Sequence, residues 1–367
     1  MERTINFGFW KKVRETAAKE KRPIFVLAPM ADVTDAAFRR IIAKYSRMGK
    51  KGGGPDVLWT EFVSADGLCS PGRKVLLHDL VFIEKERPIV AQLFTSHPEK
   101  MREAATLVAK LGFDGIDINM GCPDRSIEKQ CAGAAMMKDP KTAVAVIKAA
   151  REGVPIPVSV KTRIGYNKVD LDWIRILLEQ KLPVLTVHLR TRKEMSDVPA
   201  HWELMPEIVK LRDEISPETI IIGNGDVMSL TDGEEKTRAS GCDGIMFGRA
   251  IFGNPWLFDM NRQNQLAHLA VADTFRRSQV SRRRSAPLPV RSHDFVDRLN
   301  VLLEHTQLFM KLFKDVKSFA VMKKHYKAYV HGWDGAKELR VKLMETQSAA
   351  EVKKIVKAYI ANMTSKA

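Results

Sequence analysis

The stretch from Asp117 to Met137, DINMGCPDRSIEKQCAGAAMM, sets Cys122 between a glycine and a proline, directly after a run that reads as a buried strand. Three kinds of chemistry fit such a cysteine: a small buried hydrophobe, half of a metal or redox pair with Cys131, or a reacting thiol. A metal site needs more ligands, and no Cys-x-x-Cys occurs, so no metal is expected. A thiol with a pKa near ~8.5 is protonated at neutral pH and can give up that proton in a transition state. A loop at the end of a strand is where such a group would work, which favours a reacting thiol, as proton donor or nucleophile, over the buried hydrophobe.

Lys161 and His188 end two other apolar runs, PVSVKTR and PVLTVHL. A cation beside an electron-accepting ring stabilises negative charge as it builds during reduction, and a histidine can donate a hydrogen bond to the same region. Gln92 both donates and accepts, which suits the edge of a pyrimidine-like ring. Near the end of the series, IIIGNGD and GIMFGRAIFGNP give two glycine-rich turns. Their free backbone N–H groups, with Arg249 and a helix N-terminus, would cradle a phosphate. Gathered around one mouth, these residues favour a bound flavin mononucleotide.

Positioning them requires a scaffold whose strand ends converge. From Ile24 to Trp256, short runs rich in Val, Ile and Leu alternate with amphipathic stretches, the pattern of a parallel sheet covered by helices. Eight such units predict a (β/α)8 TIM barrel, whose active site lies at the C-terminal ends of its strands. The Gly-x-Gly-x-x-Gly expected after the first strand of an open dinucleotide-binding sheet is missing. Polar or special residues close the runs one after another, at Pro29 and Met30, Glu61, Gln92, Asn119 to Cys122, Lys161, His188, Asn224 to Asp226, and Gly248 with Arg249.

The expected organisation is an amphipathic extension over residues 1–22, a barrel over 23–260, an Arg/Ser/Pro-rich linker over 273–292 and an all-helical C-terminal domain over 293–364. The chain of 367 residues carries a net charge of +16, and residues 273–367 hold 20 Lys and Arg against 9 Asp and Glu. Such a surface favours a polyanion. No apolar run reaches bilayer length, so no membrane is expected. At the N-terminus Phe7, Phe9, Trp10 and Val13 are interleaved with Lys11, Lys12 and Arg14, which is no signal peptide. Four cysteines point to a reducing compartment. Cytoplasm is the expected location, with mitochondria the alternative, and the chain is expected to be monomeric.

The sequence resembles the flavin-dependent tRNA-dihydrouridine synthases. The likeness rests on APMADVTDAAFR, AQLF, DINMGCPDRSIEKQCAGAAMM, SVKTRIGY, TVHLRTRKEM, IIGNGDV and MFGRAIFGNPW, between about Arg22 and Phe258. It implies reduction of the C5–C6 bond of uridine in tRNA to 5,6-dihydrouridine, with FMN as cofactor and NADPH as reductant. The helical tail is consistent with the family's tRNA-binding domain. By the same resemblance Pro29, Met30 and Ala31 pack on FMN, and Gln92, Lys161 and His188 contact its ring. Asn224, Gly225, Asp226, Gly248 and Arg249 hold its ribityl chain and phosphate, and Cys122 is the proton donor. Asn119, Arg163, Arg190 and Arg192 are expected on the substrate. The alternatives are an FMN barrel acting on a small pyrimidine or enone, and a cofactor-free RNA-binding barrel. At Cys131 the family pattern leads one to expect glycine.

Overall fold

The computed structural model describes residues 4–152, 154–263 and 292–364. Most of the expected Arg-rich linker lies outside them. Eight parallel strands run in sequence order: β1 Ile24–Leu27, β2 Leu58–Ser64, β3 Ile89–Phe94, β4 Gly115–Met120, β5 Val158–Arg163, β6 Val184–His188, β7 Ile220–Asn224 and β8 Gly244–Phe247. From β2 to β8 each strand pairs with the next, and β1 pairs with β8. A parallel bridge from Val26 to Val57, just ahead of β2, closes the ring. The fold is the expected TIM barrel.

The strands are buried almost throughout and largely apolar because both faces are covered, one by the barrel interior and one by helices. Three of the crossover helices start at side-chain caps. Asp139 accepts the Thr142 N–H at 3.1 Å, and Pro140 opens the helix Pro140–Arg151. Asp170 caps Leu171–Leu178, and Ser229 caps Leu230–Ser240. Gly241 ends that last helix at φ +76°, a conformation that suits a residue without a Cβ.

The helix Trp10–Lys19 precedes the barrel and belongs to its core. Trp10, Val13 and Ala17 are buried in one cluster with Ile24, Val57, Trp59, Val184 and Ile220. The ring centroids of Trp10 and Trp59 are 5.9 Å apart.

The chain divides into two compact units, Met1–Ala36 with Pro55–Ala250, and Ala37–Gly54 with Ile251–Ala367. The first holds all eight strands. In the second, most of the helix Ala36–Tyr45 groups with Ser292–Phe313, Val321–Tyr329, Ala336–Glu345 and Ala349–Thr364. Glu304 there accepts from Lys44 Nζ and from Tyr45 Oη, each at 2.7 Å.

Candidate active site

Strand register sets the site. In the ladder Gln92 lies beside Asp117, Asp117 beside Ser159, Asn119 beside Lys161, Arg163 beside His188, and His188 beside Asn224. Residues of one register row in a barrel share a layer, so polar side chains far apart in sequence meet near the C-terminal rim.

A cavity of about 240 Å³ opens there. It is lined by Pro29 and Met30 after β1, Lys161 of β5, His188 and Arg190 at the end of β6, Asn224 to Asp226 at the end of β7, and Gly248 with Arg249 after β8. Ser196, Val227 and Met228 complete the wall together with Ala28 and Met246. Ala31, Gln92, Asn119, Cys122, Arg163 and Arg192 do not line it. Ala31 is exposed on the turn that follows Met30, while Gln92 is 0% and Asn119 7% exposed.

Lys161 Nζ has no hydrogen-bond or ion-pair partner among the described residues, although the side chain is partly buried. Burial and the charge of Arg163 push its ammonium down to about 8, against the pull of Asp117. An unpartnered cation facing a cavity is a group held for a ligand. Gly248 fits the same picture, since a Cβ there would have Met30 Sδ, 4.0 Å away, as its nearest neighbour. Gly225 stands at φ +126°, where a side chain would be strained and would come 2.7 Å from the Ala200 Cβ. These are the features of a rim able to take an anionic, ring-bearing cofactor such as FMN.

Cys122 is reached from the barrel interior by a hydrogen-bond relay. Its N–H and that of Gly121 donate to Asn119 Oδ1 at 2.9 and 3.1 Å. Asn119 Nδ2 donates to Gln92 Oε1 at 3.0 Å, and Gln92 Nε2 to Asp117 Oδ2 at 2.6 Å. The two ends fix the direction of the amides: a peptide N–H can only donate, and a carboxylate can only accept. Ser159 Oγ donates to the other Asp117 oxygen at 2.6 Å. Burial pushes the Asp117 carboxyl up to about 6, although Ser159, Gln92 and Lys161 pull it down.

The Cys122 side chain packs beside Phe62, Phe94, Ile127 and Ala132. Burial raises its thiol, with the charges of Lys161 and Arg163 acting in the opposite direction. The loop then returns through Gly133 at φ +61°, where an added Cβ would meet the Cys122 carbonyl oxygen at 2.8 Å. The Ala134 N–H closes the turn on that oxygen at 2.9 Å.

Three arginines tie the rim loops together. Arg163 donates to the Gly121, Thr191 and Met195 carbonyls at 2.9, 3.0 and 2.9 Å. Arg192 pairs with Glu128, Nε to Oε1 at 2.7 Å, and joins Lys138 over the Tyr166 ring. Arg190 is 2% exposed and donates to the Val198 carbonyl, His188 Nε2 and Asp226. Asp226 also takes Arg249 and the Ala200 N–H, the latter at 2.9 Å. Glu61 lies within β2 at 5% exposure, beside a register shift between Trp59 and Phe62, and accepts the Asp32 N–H at 2.5 Å.

The sequence pattern did not single out Asp117, Glu128, Tyr166 or Ser196. Asp117 had a signal, because Asp117 and Asn119 alternate in β4 and so share a face with Gln92 across the register. Glu128 had none, because its partner Arg192 lies 64 residues away.

Fold and rim together define a TIM-barrel enzyme. The chain belongs to the dihydrouridine synthase (Dus) family, whose model matches residues 26–364. It is 39% identical over 360 residues to a probable tRNA-dihydrouridine synthase of Staphylococcus aureus (strain COL), covering 97% of each chain. It is 37% identical over 352 residues to probable tRNA-dihydrouridine synthase 2 of Bacillus subtilis (strain 168), covering 95% of each. Among solved structures, morphinone reductase is similar with a TM-score of 0.46 at 13% identity, over 66% of this chain and 86% of that one.

Proposed function

We propose that this chain is a flavin-dependent tRNA-dihydrouridine synthase, which reduces the C5–C6 double bond of uridine in tRNA to 5,6-dihydrouridine. FMN is the proposed cofactor and NADPH the reductant. The observation that carries the proposal is Lys161, a cation without a partner among the described residues, at the rim cavity of a Dus-family barrel and within electrostatic reach of Cys122. Bound at this rim, FMN would supply the hydride to C6 of the uracil. Gly225, Gly248 and Arg249 are the proposed holders of its phosphate end, with Pro29, Met30, Lys161 and His188 against the ring.

The remaining work falls to the chain itself. Cys122, its thiol kept protonated by burial, holds the proton destined for C5. The Asn119–Gln92–Asp117 relay fixes the backbone that aims it. Lys161 offsets negative charge as it develops on the ring. A uridine must leave its stack to reach such a rim, at a cost of a few kcal/mol that is least in an open RNA loop. The 20 Lys and Arg against 9 Asp and Glu in residues 273–367 supply charge for phosphates, so affinity should fall steeply with salt.

The test is NADPH oxidation by purified, flavin-loaded protein, given unmodified tRNA in one arm and free uridine or small pyrimidines in the other. Oxidation linked to dihydrouridine in the tRNA arm alone is expected. Turnover of the small molecules alone would make the chain a small-molecule flavin reductase. A protein that takes up no FMN would be a cofactor-free RNA binder.

A further inference from the structure

The His188 ring sits against two neighbours that together define its protonation. Arg190 Nη1 lies 3.1 Å from His188 Nε2. A guanidinium has donors only, so Nε2 must present a lone pair. The flipped ring would instead set the Cε1 carbon against the guanidinium and leave that donor without an acceptor. The Cδ2–Nε2 edge also faces Gly225, since a Cβ built there would come 3.2 Å from Cδ2 and 3.6 Å from Nε2. Nδ1 lies across the ring from that edge and makes no hydrogen bond among the described residues, and His188 lines the cavity.

The geometry points to Arg190 as the residue that fixes His188 as a neutral imidazole, protonated on Nδ1 and presenting that N–H to the cavity. Arg190 is itself held in place: Nε donates to the Val198 carbonyl at 2.6 Å, and Nη2 to Asp226. With all three nitrogens engaged and 2% exposure, it is a positioning residue that acts through His188. The ligand atom opposite His188 must then be a hydrogen-bond acceptor. This deepens the proposed function: on that reading the acceptor is a carbonyl oxygen or unprotonated nitrogen of the flavin ring.

The surroundings favour the neutral form over a wide range of pH. Burial, and after it the positive charges of Lys161, Arg163, Arg190 and Arg249, lower the imidazole well below its ordinary range. Asp226, which Arg190 also holds, is already paired with Arg190 and Arg249.

The test is a long-range nitrogen–proton correlation spectrum of the full chain with isotope-labelled histidine, His188 being assigned by its absence in His188→Gln. The expected result is an Nδ1-protonated, neutral ring whose signals stay fixed between about pH 5.5 and 8.5, a window that spans the ordinary histidine range. A ring protonated on Nε2, or an imidazolium near neutral pH, would overturn the assignment. In Arg190→Met the signal is expected to move to a tautomer mixture. Arg190→Lys, a cation too small to hold all three partners, replaces that variant if the apolar one does not fold. An unchanged Nδ1 tautomer in the folded variant would remove Arg190 from the role. The readout needs neither cofactor nor RNA, so it can fail while dihydrouridine is still formed, or hold where none is.

Discussion

At Asp117 a carboxylate lies inside the barrel, 1% exposed, with Gln92 Nε2 and Ser159 Oγ as its donors at 2.6 Å each. An unfolded aspartate ionises near ~4, whereas this one ionises at about 6. Between those values the folded state binds more protons than the unfolded one. The stability this group contributes is therefore greatest at acid pH and declines as pH rises through 4 to 6. At neutral pH its charge opposes folding, the signature of a group retained for function. Asp117→Asn keeps an acceptor for Gln92 and removes the charge. In urea unfolding at neutral pH it is expected to be more stable than wild type by on the order of 1–2 kcal/mol, less so at pH 4.5, with slower turnover. A variant less stable at neutral pH would contradict this. Single residues were legible in the sequence where a motif named them, as with Cys122, Lys161 and His188. Cys131 was legible in reverse: glycine was expected there, and the backbone stands at φ +57°, the left-handed region glycine favours. Asp117 lies within that motif but was not legible from it, because its meaning lies in a cross-strand row.

Elements show the same division. The eight strands were readable because parallel strands buried on both faces are largely apolar, and caps such as Asp139-Pro140 mark where helices begin. The ties between loops were not, because Arg163 reaches Thr191 and Arg192 reaches Glu128 only once the barrel closes. The N-terminal helix changes meaning in the same way. Its alternation of Phe, Trp and Val with Lys and Arg reads as an amphipathic extension, but Trp10 is 1% exposed and shares a cluster with six of the barrel strands. Emptying that position removes a large buried ring and leaves a cavity that rigid strands cannot fill. Trp10→Ala is expected to lower stability by about 3–5 kcal/mol, measured by urea unfolding. A loss below about 1 kcal/mol, the range of a surface change, would show that the helix is only an attachment.

For the whole molecule, net charge and a basic tail were legible as signs of a polyanion partner, while the make-up of the second unit was not. Its helices enclose His305 and His325, 0% and 1% exposed, with ring centroids 4.5 Å apart. Phe38 stacks on His325 at 5.2 Å. Burial pushes His325 down to about 3 and His305 well below its ordinary value. The unfolded rings take protons near ~6.5, so the stability these two supply is complete above that pH and is lost as pH falls toward 3. The second unit is expected to unfold more readily at pH 5 than at pH 7.5, and His325→Phe to flatten that dependence, as followed by thermal melting. An identical slope in the variant would exclude the pair as its source. Cys122 is the proposed acid of a flavin-bearing barrel that acts on tRNA. The direct measurement is the single-turnover formation of dihydrouridine in an unmodified tRNA by wild type and Cys122→Ala, loaded to equal flavin absorbance. The account predicts that the variant keeps its flavin and forms dihydrouridine about 10²–10⁴-fold more slowly. Equal rates, or no dihydrouridine from the flavin-loaded wild type, would contradict it.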